Sequence, residues 1–68
     1  MPEFNRLRSK AGLTITRMSI EAQISRSTVE KIEKAVPVRA PLASRACKIL
    51  SKYLEQDIDY EAIGIQTV

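Results

Sequence analysis

The tightest constraint on this chain is a spacing. Two short segments with helical apolar periodicity, one led by Thr14 and one by Ser25, are joined through only Gln23-Ile24-Ser25. Threonine and serine side chains accept hydrogen bonds from the free N–H groups of a helix's first turn, so each marks a helix start. Met18 and Ala22, with Ile15 beside them, share one side of the first segment, and Val29 and Ile32 share one side of the second. Helices joined by so short a link cross steeply and bury their apolar faces against each other. Close approach at such a crossing needs a small residue, and Ser19 is small.

The flanks read as further helices. Phe4, Leu7 and Ala11 recur at helical spacing after Pro2, and Gly12 suits a left-handed stop, which predicts a first helix over 2–11. The third helix is expected over 26–34, and a loop bracketed by Pro37 and Pro41 over 35–41. Leu42, Ala43, Ala46, Cys47, Leu50, Tyr53 and Leu54 form a sustained stripe for a fourth helix reaching about residue 55. Asp59 can cap a short fifth turn at Tyr60–Ile63 closed by Gly64, and Ile65–Val68 carries no signal of its own. With 68 residues there is room for one domain over 1–68 and no large substrate cavity.

Charge divides the chain into a basic helical body over 1–55 and an acidic C-terminal tail over 56–68. All 11 lysines and arginines lie before residue 55, against four acids, whereas Glu55, Asp57, Asp59 and Glu61 follow with no base among them. A cationic body points to a polyanionic partner. The steep helix pair matches the helix-turn-helix pattern used in DNA major grooves. At the start of its second helix lie Arg26, Ser27 and Thr28, none apolar, with Lys31 one turn further on the face of Ser27 and Thr28. That composition suits contact with base edges.

The strings Leu7-Arg8-x-x-x-Gly12-Leu13-Thr14 and Ile24-Ser25-Arg26-Ser27-Thr28-Val29-x-x-Ile32-Glu33 together resemble the Cro/repressor, or XRE-type, helix-turn-helix domain of phage and bacterial regulators. The likeness covers residues 4–54. It implies an all-α fold, a compact four- to five-helix bundle of the lambda-repressor-like type, with helices two and three as the helix-turn-helix. By position it implies base contacts from Arg26, Ser27 and Lys31, and DNA backbone contacts from Thr14, Thr28, Lys34 and Arg39. It further implies a structural ion pair, Arg8 with Glu33, tying the first helix to the end of the third. Three positions depart from the pattern. Ile15 replaces a glutamine that touches the DNA backbone and leaves a methyl-rich side chain near DNA, while Gln23 and Ala35 replace glycines.

The function these features imply is a sequence-specific transcriptional regulator: a small homodimeric repressor that occupies a palindromic operator in double-stranded DNA. Its dimer contact is expected through helix four or five and the tail. Two other readings compete: a protein-interaction module using Ile15, Ile20 and the tail, as an antitoxin or antiactivator would, and an architectural DNA-binding factor of a mobile element. Catalysis is not expected, because the chain has no histidine and a single cysteine, and no nucleophile, base or metal constellation is apparent. Cofactors are not expected either. A lone cysteine, no apolar leader and no apolar run of membrane length predict a cytoplasmic, nucleoid-associated protein of a bacterium or phage, away from membranes.

Overall fold

The computed structural model describes residues 3–68, so the expected helix start at Pro2 lies outside the described residues. Four helices follow in order: α1 (Glu3–Lys10), α2 (Ile15–Ala22), α3 (Arg26–Glu33) and α4 (Ala40–Leu54). Among the described residues the architecture is all-α, with one isolated β-bridge.

Local chemistry sets most boundaries. Ala11 lies in the turn after α1, where Gly12 at φ 74 reverses the chain. Thr14 caps α2, its side chain accepting from the Arg17 N–H at 3.0 Å, and Ser25 caps α3 by accepting from the Thr28 N–H at 3.1 Å. Each satisfies a donor that a helix start leaves free. Gln23 at φ 57 and Ala35 at φ 60 take the left-handed conformation without being glycine. Each such position costs about 1 kcal/mol.

The start of α4 corrects the expected loop. Pro41 lies inside the first helical turn after the cap residue Arg39 and does not bracket a loop. A proline is comfortable there because its missing N–H would have no helical partner. The expected short fifth turn is present: residues 60–64 form a hydrogen-bonded turn, with the Ile63 N–H donating to the Asp59 carbonyl at 3.2 Å and the Ile65 N–H to the Tyr60 carbonyl at 3.0 Å. Gly64, at φ 77, stops it before a second turn adds bonds to offset the cost of nucleation.

Every helix contributes to one core. Phe4 and Leu7 enter from α1, Met18 and Ala22 from α2, Val29 and Ile32 from α3, and Ala43, Ala46 and Leu50 from α4. Ala43 and Ala46 are fully buried on α4, the helix against which α2 packs. Ile15 packs against this core, so the expectation of a methyl-rich side chain standing out toward DNA is not met. The tail folds back as well. Ile58, Tyr60, Ile63 and Ile65 cover the core, and Val38 and Thr67 form a parallel bridge. Tyr53, by contrast, is 40% exposed.

Cys47 sits in the buried face of α4. Burial, assisted by the Asp59 carboxylate, pushes its thiol from the ordinary 9.0 up to about 12. Thiolate is the reactive form, so a thiol reagent in mildly alkaline buffer is expected to leave the native protein unlabelled and to modify it on unfolding. The unfolded chain releases this proton first. The thiol's contribution to stability is therefore intact below about 9.0 and is lost as pH rises toward about 12. Rapid labelling of the folded protein would show that the thiol reaches solvent.

Candidate nucleic-acid interface

The segment starting at Ser25 is anchored by one face and open on the other. Val29 and Ile32 are almost fully buried, which fixes the rotation of α3 about its axis. Residues Arg26, Ser27 and Lys31 are consequently exposed. The turn holds the helix start in place: Ser25 Oγ and Thr28 Oγ1 share a hydrogen bond of 2.9 Å, and the Ile24 N–H donates to the Ser19 carbonyl at 3.0 Å. Ser19 itself is buried, its hydroxyl donating to the Thr16 carbonyl at 2.7 Å, so the pair closes over a small, satisfied side chain. Arg45, a residue without a role in the sequence reading, steadies the turn by donating to the Gln23 carbonyl at 3.3 Å.

Ion pairing separates the cations into two groups. Arg6, Arg8 and Arg17 pair with Glu3, Glu33 and Glu21. Arg26, Lys31, Lys34 and Arg39 have no salt-bridge partner among the described residues, and all four are exposed. Unpaired cations keep their full charge available to an anion, whereas a pair must be broken first. Lys10, Arg45, Lys48 and Lys52 are also unpaired among the described residues, so the property alone does not mark a site.

The Arg8 and Glu33 pair joins α1 to the last turn of α3. Arg8 Nε donates to Glu33 Oε2, and Arg8 Nη1 donates to the Leu13 carbonyl at 2.6 Å. Their side chains are 18% and 14% exposed, so the pair is largely withdrawn from water. It lies at the opposite end of α3 from Arg26 and holds the helix without occupying its open edge.

A cleft of about 240 Å³ runs beside α3, lined by Thr28, Lys31, Val38, Arg39 and Val68, with Pro37 and Leu42. It brings together Thr28, Lys31 and Arg39 from the sequence-derived set. Arg26, Ser27, Thr14 and Lys34 do not line it. Lys31 thus shares a wall with two residues expected at the DNA backbone rather than standing only with Arg26 and Ser27. Thr14 is exposed at the start of α2, its hydroxyl already accepting from Arg17. Val38 carries no capping or periodic signal in the sequence, and Val68 is one of several apolar residues of a tail whose sequence leaves folding back, pairing with a second copy or standing free equally open. The only available signal was weak: the β-branched alternation Ile63, Ile65, Thr67, a period suited to extended chain. No family model, curated protein or solved structure matches the chain.

Proposed function

We propose that the chain is a sequence-specific DNA-binding transcriptional regulator, a small cytoplasmic repressor of the Cro type that acts by occupying its operator. In this reading α2, the Gln23-Ile24-Ser25 turn and α3 form a helix-turn-helix within a lambda-repressor-like bundle. The edge of α3 bearing Arg26, Ser27 and Lys31 enters the major groove. Thr14, Thr28, Lys34 and Arg39 approach the backbone, and two copies read a palindrome. The observation that carries it is the α3 edge: exposed, unpaired and polar on a helix whose opposite side is locked into the core.

Selection of bound sequences from a random duplex pool tests the reading directly and is expected to return a two-fold symmetric consensus. Arg26→Ala should then lose about 1–3 kcal/mol at one base position, a five- to 150-fold drop, as expected for a bidentate contact to guanine. Its fold should be unaffected, because Arg26 is exposed. No enrichment over the starting pool, or an Arg26→Ala variant with unaltered affinity and base preference, would overturn the assignment. Light scattering with and without the selected duplex reads the dimer.

One observation favours the protein-interaction reading: Ile20 on α2 is 62% exposed. The other two features named for it do not add to it, since Ile15 packs on the core and the tail folds onto its own body. The regulator therefore remains the better-supported reading.

A further inference from the structure

The outward face of α4 carries two charge clusters that a lone copy of the chain leaves unsatisfied. Helical spacing puts Arg45, Lys48 and Lys52 within about 60° of one another around the axis, opposite the buried side of Ala43, Ala46 and Leu50. All three are exposed, and none has a salt-bridge partner among the described residues. Like charges three or four residues apart on a helix repel, so this stripe works against the helix that bears it. It is also set back from the α3 edge. Arg39, the cap residue of α4, lines the cleft beside α3, and Lys48 stands about 14 Å further along the axis.

The second cluster is acidic. Glu55 and Asp57 follow α4 directly, are exposed and have no salt-bridge partner among the described residues. Negative charge at a helix C-terminus opposes the helix dipole. The corner is fixed to the helix nonetheless: the Ile58 N–H donates to Ser51 Oγ at 3.0 Å, and that hydroxyl donates to the Cys47 carbonyl at 2.9 Å. Beside the cations, Ile49 is half-buried, and Tyr53 one turn on is 40% exposed.

We propose that a second copy of this chain docks on this face, its α4 running antiparallel about a two-fold axis at the level of Ser51. The antiparallel sense serves both clusters, because it sets the cations along one α4 against the acidic corner that follows the other. In a two-fold pair the same patch of each copy meets itself, so each flank of α4 faces its own equivalent. On one flank Tyr53 lies level with the partner's Ile49. On the other Lys48 lies beside the partner's Glu55, and Arg45 reaches the partner's Asp57. Lys52 is the exception, since the axis brings it beside the partner's Lys52. The inference rests on the two-copy element of the proposed function and gives it a surface, while the pairing itself needs no DNA.

Two such faces bury less than a standard interface of about 1,600 Å², so the dimer is weak and held in large part by exposed charge. Sedimentation of the full chain without DNA should show dimer accumulating as protein approaches about 1 mM in low salt, and dispersing above about 0.5 M salt. Exchange of charge tests the pairing itself. Arg45→Glu with Lys48→Glu makes an acidic variant, and Glu55→Lys with Asp57→Lys a basic one. Each alone should dimerise at least about tenfold more weakly than the wild type, because four surface pairs at about twofold each are reversed. An equimolar mixture should recover dimer, since every reversed contact in the mixed pair again joins opposite charges. A control carrying Lys10→Glu and Lys34→Glu in place of the α4 changes should leave the basic variant monomeric. Helix content should be unchanged throughout, as all the substituted residues are exposed. Lys52→Leu relieves the repulsion at the axis and should tighten the dimer about threefold. Tyr53→Ala should loosen it about fivefold.

A wild type that stays monomeric across this range, a charge-exchanged mixture that does not recover, or a dimer indifferent to the exchange would overturn the surface. A looser dimer from Lys52→Leu would overturn the register. If the stripe serves a nucleic acid instead, the acidic variant loses duplex affinity at concentrations where the wild type is monomeric, and the mixture restores nothing. That outcome also overturns the proposal. Failure of the duplex selection leaves all the sedimentation results standing, so the two readings fail separately.

Discussion

Phe4→Ala is expected to lower the urea midpoint of unfolding sharply. Phe4 is 1% exposed and is among the largest fully buried side chains. It projects from α1, only eight residues long, into the space shared by the other helices. Truncating a buried phenylalanine to alanine costs about 3–5 kcal/mol, through lost transfer energy and the cavity left behind. At about 0.05–0.15 kcal/mol per residue, a chain of this length has about 3–10 kcal/mol in total, so the loss is a large share of the whole. Urea titration followed by circular dichroism measures it. Phe4→Leu, which keeps most of the volume, should cost about 1 kcal/mol. A Phe4→Ala loss below that of Phe4→Leu would mean that α1 does not dock as described.

Glu33→Ala is expected to cost about 2–3 kcal/mol, more than an exposed ion pair ever contributes. The reason is asymmetry. Removing Glu33 leaves the Arg8 guanidinium largely withdrawn from water, with the Leu13 carbonyl as its remaining partner. An unpaired charge in that position loses its hydration without compensation. Glu33 also sits in the last turn of α3, where a negative charge opposes the helix dipole, so Arg8 offsets an unfavourable placement. The double variant Arg8→Met, Glu33→Leu replaces both charges by apolar groups and should recover most of the loss. A double-mutant cycle separates the coupling from the individual effects. If Glu33→Ala and Arg8→Met each cost less than about 0.5 kcal/mol and add without coupling, the pair has no structural role and behaves as two solvated charges. DNA base preference should be unchanged in the double variant, because the pair stands at the far end of α3 from Arg26.

Much of the helical framework was legible in the residues. The caps at Thr14 and Ser25, the reversal at Gly12 and the inward faces of α2 and α3 each rest on interactions within about one helical turn, and they occur where that chemistry puts them. The approach of Arg8 to Glu33 has a different origin. Periodicity says nothing about a pair so far apart in sequence, and the expectation came from resemblance alone. Ile15 was ambiguous for a physical reason: at a helix start a side chain can point along the axis toward solvent or lean onto the core, and the neighbouring surfaces decide. Pro41 was misread because proline marks both a loop and a first helical turn. Only the place where α4 begins tells them apart.

Local chemistry, then, was sufficient for the capped starts of α2 and α3, for the reversal at Gly12 and for which faces the helices bury. Capping hydrogen bonds and apolar stripes form between residues three or four apart, and little loop entropy is lost in forming them. The fate of the tail was decided only in three dimensions. No residue near Thr67 announces that it will lie beside Val38, because that bridge depends on α3 and α4 having already placed Val38 in the core with its N–H and carbonyl free. The same holds for the cleft: Lys31, Arg39 and Val68 are scattered along the chain, and only the packing of α3, the start of α4 and the folded-back tail makes them neighbours. Closing a loop of that length is offset by burial of Ile58, Tyr60, Ile63 and Ile65 against the core, a surface that exists only once the helices have assembled.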